Sequence, residues 1–327
     1  MRRMTPIFRT ASIVLVLTAA LLFAFVDAPA TGASDIRVLS WNISSNAFVR
    51  RPEDFQALLR LADADVLLLD EVRPAADAGK LRTVLEDVQS ERGSGWNIDY
   101  GISGGRQRGV IASRAPLESL PEFSTIIPYP EQAKAYILQA MSARERANSD
   151  LSMEHGIPVN GAVVLAGERR LLVVIADLQC CGDNADSWQE YRRRVESREI
   201  RERIRQVLNR TEVDSVILAG DFNLVNTSFP LSLLAGPYPY PHSGLIPVEI
   251  YHADGATAWT WDGRGTPFTS GTLDFQLYAP HSLHVRGSII LDTEDLTSEA
   301  LQQHALETEM SRRLSRHRPL LVVYGWQ

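Results

Sequence analysis

Short runs of consecutive apolar residues alternate along this chain with segments of helical periodicity. Residues 36–43 (IRVLSWNI) are apolar and β-branched with polar flanks, the pattern of a buried strand. Residues 53–62 follow with Phe55, Leu58, Leu59 and Ala62 at the spacing of one helix face. Asp63-Ala64-Asp65 breaks that helix, and Val66 to Leu69 make a second short apolar strand ending in Asp70-Glu71. Strand, helix and strand of this length predict a β-α-β unit and an α/β layered protein. The pattern predicts a further helix at 81–88 and strands at 96–102 and 109–113. Later come a hairpin (161–166 and 170–176) around Gly167-Glu168, and a long charged helix over 187–209. Strands are expected at 215–219, 273–278, 285–290 and 320–324, with a helix at 298–313 before the last. This number of strands with interspersed helices fits one domain with two sheets facing each other.

Two regions break the rhythm. Residues 117–160 hold Pro121, Pro128 and Pro130 ahead of a helical stretch from Glu131 to Ala147, and read as a surface insertion that shapes a cleft. Residues 229–241 form a Pro- and Tyr-rich loop. In the long helix, Arg192, Arg193, Arg194, Arg198, Arg201, Arg203 and Arg205 interleave with Glu190, Glu196, Glu199 and Glu202. That spacing predicts a solvated, salt-bridged face rather than a basic binding patch.

The first thirty residues have a different logic. Arg2, Arg3 and Arg9 precede an apolar run from Ala11 to Val26, with small residues at Asp27-Ala28-Pro29-Ala30. This is the pattern of a signal peptide over 1–30, which predicts a secreted or periplasmic protein. An uncleaved segment anchoring the chain to a membrane is the competing reading, although the run is short for the ~20 residues of a span. The folded domain then occupies 35–327, and a membrane enters only through that first segment.

The 327 residues are 45% hydrophobic and 22% charged, ordinary for a globular protein and unlike a disordered tail or a disulfide miniprotein. Loss of residues 1–30 would remove three Arg and one Asp, taking the net charge from −7 to −9. With only Lys80 and Lys134 as lysines, a tight grip on long duplex DNA is disfavoured. Phosphate chemistry is not, because carboxylates that hold a divalent cation also make the balance negative. The two cysteines, Cys180 and Cys181, are adjacent and have no zinc-like spacing; they read as small buried thiols at a strand end. Tyr238, Tyr240, Trp259 and Trp261 read as loop and core packing.

Several strand ends carry polar residues that an apolar strand does not need: Asn42, Glu71, Asp221 with Asn223, and Asp274, joined by His317 before the final strand. Each alone has an ordinary explanation as a turn former. Together they match what metal-assisted phosphoester hydrolysis requires. Glu71 and Asn42 offer hard oxygen ligands to Mg²⁺ or Mn²⁺. Asp221 and Asn223 offer a base and an orienting amide for water. His317, kept charged by Asp274, offers a cation to the phosphoryl group.

The same segments carry a resemblance. LSWNI (39–43), LLLDEV (67–72), SRAPL (113–117), ILAGDFNLV (217–225), GTLDFQLYAP (271–280) and SRHRPLLVV (315–323) resemble, in that order, motifs of the endonuclease/exonuclease/phosphatase superfamily. That group includes nucleases resembling DNase I, apurinic-site endonucleases, neutral sphingomyelinases and inositol-polyphosphate 5-phosphatases. The resemblance implies a four-layer α/β sandwich, with two mixed β-sheets packed face to face and helices outside. It implies Asn42 and Glu71 at the metal and phosphate site, Asp221 and Asn223 at the water, and Asp274 paired with His317. It implies a phosphoester substrate, whether nucleic acid, lipid headgroup or small phosphate ester, and no stable protein partner.

This sequence departs from that pattern at three places. Arg316 stands in Ser315-Arg316-His317 where the motif has Asp, which removes a carboxylate and suits contact with a substrate phosphate. Asp177 stands where a phosphate-binding His is common, as an additional ligand. Asp70 replaces a Gln before Glu71, a tolerated change. The altered pocket leaves one alternative to an enzyme: a catalytically impaired member that binds a phosphorylated ligand.

Overall fold

The computed structural model describes residues 35–44, 46–73, 78–88 and 95–327; the expected signal segment lies outside them. The chain begins with β1 (Asp35–Asn42), α1 (Ala47–Arg50), α2 (Pro52–Ala62), β2 (Val66–Val72), α3 (Ala78–Glu86), β3 (Asn97–Tyr100), β4 (Arg108–Ser113) and β5 (Leu117–Ser119). Then come α4 (Glu131–Ala140), α5 (Ala143–Glu154), β6 (Val159–Ala166), β7 (Arg169–Asp177), α6 (Trp188–Arg210), β8 (Ser215–Asp221) and α7 (Phe229–Leu234). The last part holds β9 (Ile246–Pro247), β10 (Asp274–Tyr278), β11 (Leu283–Ile290), α8 (Ser298–Gln303), α9 (Met310–Leu314) and β12 (Leu320–Trp326).

The strands form two six-stranded sheets, ordered β11-β12-β1-β2-β4-β3 and β5-β6-β7-β8-β10-β9. Alternation along each strand divides the apolar residues between two faces. Ile36, Val38, Val66, Leu68 and Ile111 of the first sheet meet Val164, Leu171, Val173, Ile175 and Ile217 of the second in one buried layer. The alternate residues Leu39, Trp41, Leu67 and Leu69 pack outward with Phe48, Phe55, Leu58 and Leu81 from the helices. On the other side Leu172, Val174, Val216 and Leu218 pack with Ile200, Ile204 and Val207 of α6. Strands covered on both faces need continuous apolar runs, which is why they were readable. The result is the expected sandwich of two mixed sheets with helices around it.

Region 117–160 contributes β5 and two helices, because the single helix expected over 131–147 stops at Met141. Ser142 there accepts from the Glu145 backbone N–H, and the Glu145 side chain accepts in return from Ser142. This capping box starts a new helix. Phe123, Ile127, Ile137, Met141 and Met153 sink into the layer beneath α6. The helix expected over 298–313 also divides, into α8 and α9, with Ala305 between them at φ 53°. The expected Pro- and Tyr-rich loop contains the short helix α7.

The largest difference concerns α6. Its ion pairs form as predicted, but the first turns are buried rather than solvated. Glu190 meets Arg193 at 3.1 Å and Arg194 at 2.9 Å, and Arg192 meets Glu196 at 2.9 Å, with Glu190, Arg193 and Glu196 fully covered. The same groups hold neighbouring loops. Arg193 donates to the carbonyls of Gln179 and Cys181, Glu196 accepts from the Gln179 N–H, and Tyr129 donates its hydroxyl to Glu196. Interleaved charges on a helix look identical in sequence whether water or a loop covers them.

Cutting Glu190 back to alanine strands Arg193 as an uncompensated buried charge, which typically costs ~3–5 kcal/mol. Urea unfolding of Glu190→Ala is expected to show a loss of that order. A variant as stable as the parent would mean the pair is solvated in the working protein.

Candidate active site

Topology brings the polar strand ends together. β1 and β2 run parallel, as do β7 and β8, so Asn42, Asp70, Asp177 and Asp221 all lie at carboxyl ends. Such edges are where open α/β sheets bind ligands. β10 runs antiparallel to β8 and starts there, placing Asp274 opposite Asp221. β12 runs antiparallel to β1, so His317, three residues before it starts, arrives at the same edge. Gln276, two residues into β10, ties the sheets together by donating to the Leu320 carbonyl at 2.9 Å and Ser40 Oγ at 3.1 Å.

Local backbone aims the side chains. The β2–β4 register shifts between Leu69 and Val72, and Glu71 sits in that bulge at φ 53°. A bulge of this kind turns a side chain out of the strand's alternation. Gly220 has φ 135°, and a Cβ there would lie 1.9 Å from the Ala176 carbonyl oxygen, so only glycine lets β8 approach β7 before Asp221. Phe222 is fully buried and stacks on Phe275 at 5.7 Å, anchoring the turn that follows. Asn223, at φ 50°, donates its backbone N–H to Asp221 Oδ1 (3.0 Å) and its Nδ2 to the Leu178 carbonyl (2.9 Å).

The polar contacts form a continuous chain. His317 Nδ1 lies 2.9 Å from Asp274 Oδ2, and its Nε2 lies 3.7 Å from Asp221 Oδ2. Thr260 donates to Asp274 Oδ2 at 2.6 Å. Asn42 Nδ2 donates to Asp221 Oδ2 at 3.2 Å and to Glu71 Oε1 at 3.3 Å. Asp70 Oδ2 accepts the Asp221 backbone N–H at 3.2 Å. Asp177 lies beside Asp221 across the β7–β8 register and accepts from Gln107 Nε2 at 2.8 Å.

Burial and crowding shift the acidities. Burial would lower the His317 pKa, but Asp274 and Asp221 override it and push it up to about 10. The ring is therefore an imidazolium at neutral pH. Burial raises Asp221, His317 pulls it down, and Asp274 pushes it up again, leaving it at about 7. Asp70 and Asp177 are driven well above the ordinary carboxylate range, first by burial and then by the Asp221 charge.

The carboxyl groups of Asp70, Glu71, Asp177, Asp221 and Asp274 thus gather in one cluster, and those of Asp274, Asp221 and Asp70 act on a single imidazolium. Asp70 Oδ1 is buried and has no hydrogen-bond partner among the described residues. An orphaned carboxylate oxygen beside Asn42, Glu71 and Asp221 fits a hard divalent cation such as Mg²⁺, which takes oxygen ligands. One compact group of potential ligand atoms is Asp221, Asp274 and His317, all within 4.8 Å of one another. His317 suits that role poorly, because an imidazolium has no lone pair to give and its Nδ1 is spent on Asp274.

Of the predicted residues, Asn42, Glu71, Asp221, Asn223, Asp274 and His317 come together, and Asp177 joins them. Arg316 is exposed, and its Nη1 donates to the carbonyls of Asp262 (3.1 Å) and Arg264 (3.0 Å). Asn223 braces Asp221 through its N–H and spends its Nδ2 on Leu178. Several contributors were missed. Asp70 enters the acidic cluster, and its signal was a charge at the end of an otherwise apolar strand. Thr260 orients Asp274, Trp41 Nε1 donates to the His317 carbonyl at 3.0 Å, and Ser315 Oγ donates to the Asn42 carbonyl at 2.8 Å. Arg318, fully buried, meets Asp292 at 2.6 Å and Asp262 at 3.2 Å and steadies the turn carrying His317.

Comparisons with known proteins agree with this architecture. The model of the Endonuclease/Exonuclease/phosphatase family matches residues 39–317. The fold is similar to TDP2 of D. rerio, solved with a single-strand DNA product (15% identity, 89% of this chain and 99% of that one, TM-score 0.53). It is also similar to the human Nocturnin catalytic domain (14% identity, 91% and 95%, TM-score 0.56). A third likeness is to an endonuclease/exonuclease/phosphatase from Bacteroides vulgatus (14% identity, 90% and 100%, TM-score 0.55). A comparison with curated protein sequences finds no match. At these identities the structural likeness is one of fold.

Two measurements test the electrostatics. In the parent, the His317 ring is expected to stay protonated through pH ~8 by ¹⁵N NMR, and Asp274→Asn is expected to lower its midpoint by about one unit or more. An unchanged midpoint would remove Asp274 as the source of the shift. The second concerns stability. Asp70, Asp177 and Asp221 have raised pKa values, so without metal the folded state holds more protons than the unfolded chain as pH climbs past ~4. His317, also raised, adds stability that is lost from about pH 6.5 upward. Metal-stripped protein should therefore melt at progressively lower temperature from about pH 5 to pH 8, with Mg²⁺ flattening the trend. A melting temperature that rises over that interval would contradict the assignment.

Proposed function

The chain belongs to the endonuclease/exonuclease/phosphatase family, and from that premise we propose that it is a divalent-metal-dependent phosphoesterase. The observation that carries the proposal is the Asp274–His317–Asp221 chain lying beside the carboxyl groups of Asp70 and Glu71, with the Asn42 amide N–H bridging Asp221 and Glu71. A divalent cation held there by Glu71, with Asn42 and the Asp70 oxygen nearby, would polarise a phosphoryl oxygen as a Lewis acid. Asp221, poised at about 7, takes the proton of the attacking water, and the Asn223 N–H fixes its carboxylate. His317, charged and held by Asp274, stabilises the negative charge gathering on the phosphoryl oxygens. Asp177 supports the cation side of the pocket, and the exposed part of the Arg316 guanidinium meets the substrate phosphate.

We further propose that the protein is exported, as the pattern of residues 1–30 suggests, and that its substrate is a phosphodiester or phosphomonoester. The TDP2 structure holds a DNA product. In this chain the scarcity of lysine argues against long duplex DNA, leaving single-stranded nucleic acid, lipid headgroups and small esters.

Protein stripped with EDTA is expected to lose hydrolysis of bis-p-nitrophenyl phosphate and to regain it with Mg²⁺ or Mn²⁺. Asp221→Ala is expected to lose about 10²-fold or more in rate. If that variant keeps the parent's rate, or calorimetry finds a phosphorylated ligand bound with no metal requirement and no turnover, the binding-protein alternative takes its place. Activity across single-stranded DNA, RNA, sphingomyelin and phosphoinositide substrates then identifies the class.

A further inference from the structure

The two cysteines were expected to be buried, and both are exposed. They sit in the loop between β7 and α6, and their sulfurs lie 3.0 Å apart. In extended backbone, consecutive side chains point to opposite sides. Here Cys181 has φ 69°, a left-handed conformation, and the two thiols face one another. The loop is pinned on both flanks. The Gln179 N–H donates to buried Glu196 at 2.7 Å, and Arg193 donates to the carbonyls of Gln179 at 2.9 Å and Cys181 at 2.5 Å. Gln179 Nε2 also approaches Cys180 Sγ at 3.6 Å. The buried Arg193–Glu190 pair thus serves as an anchor for this turn.

We propose that Cys180 and Cys181 form a vicinal dithiol that closes reversibly to a Cys180–Cys181 disulfide by exchange with small-molecule disulfides. Cys181 is the entry point. Its thiol is lowered to about 6 by the contact with Cys180, with Arg193 adding to the effect, whereas the Cys180 thiol is pushed up. The Cys181 thiolate attacks one sulfur of the small disulfide, forming a mixed disulfide and expelling one thiolate. Cys180 then gives its proton to solvent and attacks Cys181 Sγ, forming the ring bond and expelling the second thiolate. The protein loses two electrons and two protons, and the external disulfide is reduced to two thiols. Adjacent Cα atoms are ~3.8 Å apart, closer than an ordinary disulfide prefers, so the ring is strained and readily reduced. These are the properties of a switch rather than a staple.

The chain has only two cysteines, which makes the test direct. Reduced full-length protein is incubated with excess glutathione disulfide, then examined by intact mass, thiol titration and non-reducing electrophoresis. The expected product is a monomer lacking two hydrogens, with both titratable thiols lost, restored by dithiothreitol. In Cys180→Ser and in Cys181→Ser the remaining thiol should retain one glutathione. In the reduced parent a brief, limiting pulse of iodoacetamide near pH 7 should alkylate Cys181 about tenfold faster than Cys180, read by peptide mapping. A persistent glutathione adduct on the parent, a disulfide-linked dimer, or two thiols still titratable would overturn the ring. Equal alkylation of the two thiols in the parent would overturn Cys181 as the entry point.

Discussion

Four buried carboxyl groups, those of Asp70, Asp177, Asp221 and Asp274, with half-buried Glu71 beside them and one imidazolium among them, are the constraint on which the rest of this structure depends. Like charges at this spacing cannot all ionise in a dry pocket. Part of the strain is relieved by protonation, which is why Asp70, Asp177 and Asp221 hold their protons to unusually high pH. Part is relieved by His317, whose ring is locked in the charged form by Asp274. The orphaned Asp70 oxygen marks where further positive charge would be favourable. The site is short of positive charge, and a bound cation would make up the difference.

The fold holds this arrangement by tying the participating segments to one another rather than to the surface. Trp41 stacks on Phe55 at 5.4 Å and donates to the His317 carbonyl, so the helix layer beneath β1 is linked to the segment carrying His317. Ser315 bridges the same loop to the end of β1. Gln276 crosses the interface between the sheets, and the Tyr324 hydroxyl in turn donates to its Oε1 at 3.0 Å. A buried, satisfied polar bridge between two apolar faces fixes their offset, and with it the distance between Asp274 and the end of β1. On the far side, the ion pairs at the start of α6 set the loop that follows Asp177, so the cysteine turn and the acidic pocket share one support.

Much of this was legible in the sequence for identifiable reasons. The strands were continuous apolar runs because both faces of each sheet are covered. Asn42, Glu71, Asp221 and Asp274 stood out as a set, because polar groups recur at the ends of such runs although each alone has the ordinary explanation of a turn former. Gly220-Asp221-Phe222-Asn223 encodes its own geometry: a close approach, a carboxylate, a buried anchor and a left-handed residue. The misreadings also have causes. The charged first turns of α6 gave no sign that loops, not water, lie over them. Asp70 looked like a substitute for an uncharged residue, whereas its burial makes it part of the charge problem. Cys180 and Cys181 looked like strand-end packing, because nothing local announced the turn that exposes them.

By itself, the sequence determined where most of the buried strands and helices lie and which polar side chains stand at strand ends, and the resemblance of its motifs to a known family supplied the mixed sheets. The strands, helices and polar strand ends follow from periodicity and from the cost of burying unpaired polar groups, both local properties of the chain. Only the tertiary structure decided that those ends meet at one edge, that Asp274 reaches His317, and that the shared pocket is dry enough to move their protons. Acidity and coupling depend on distance and dielectric, and residues separated by more than two hundred positions acquire both only when the sheets close on each other.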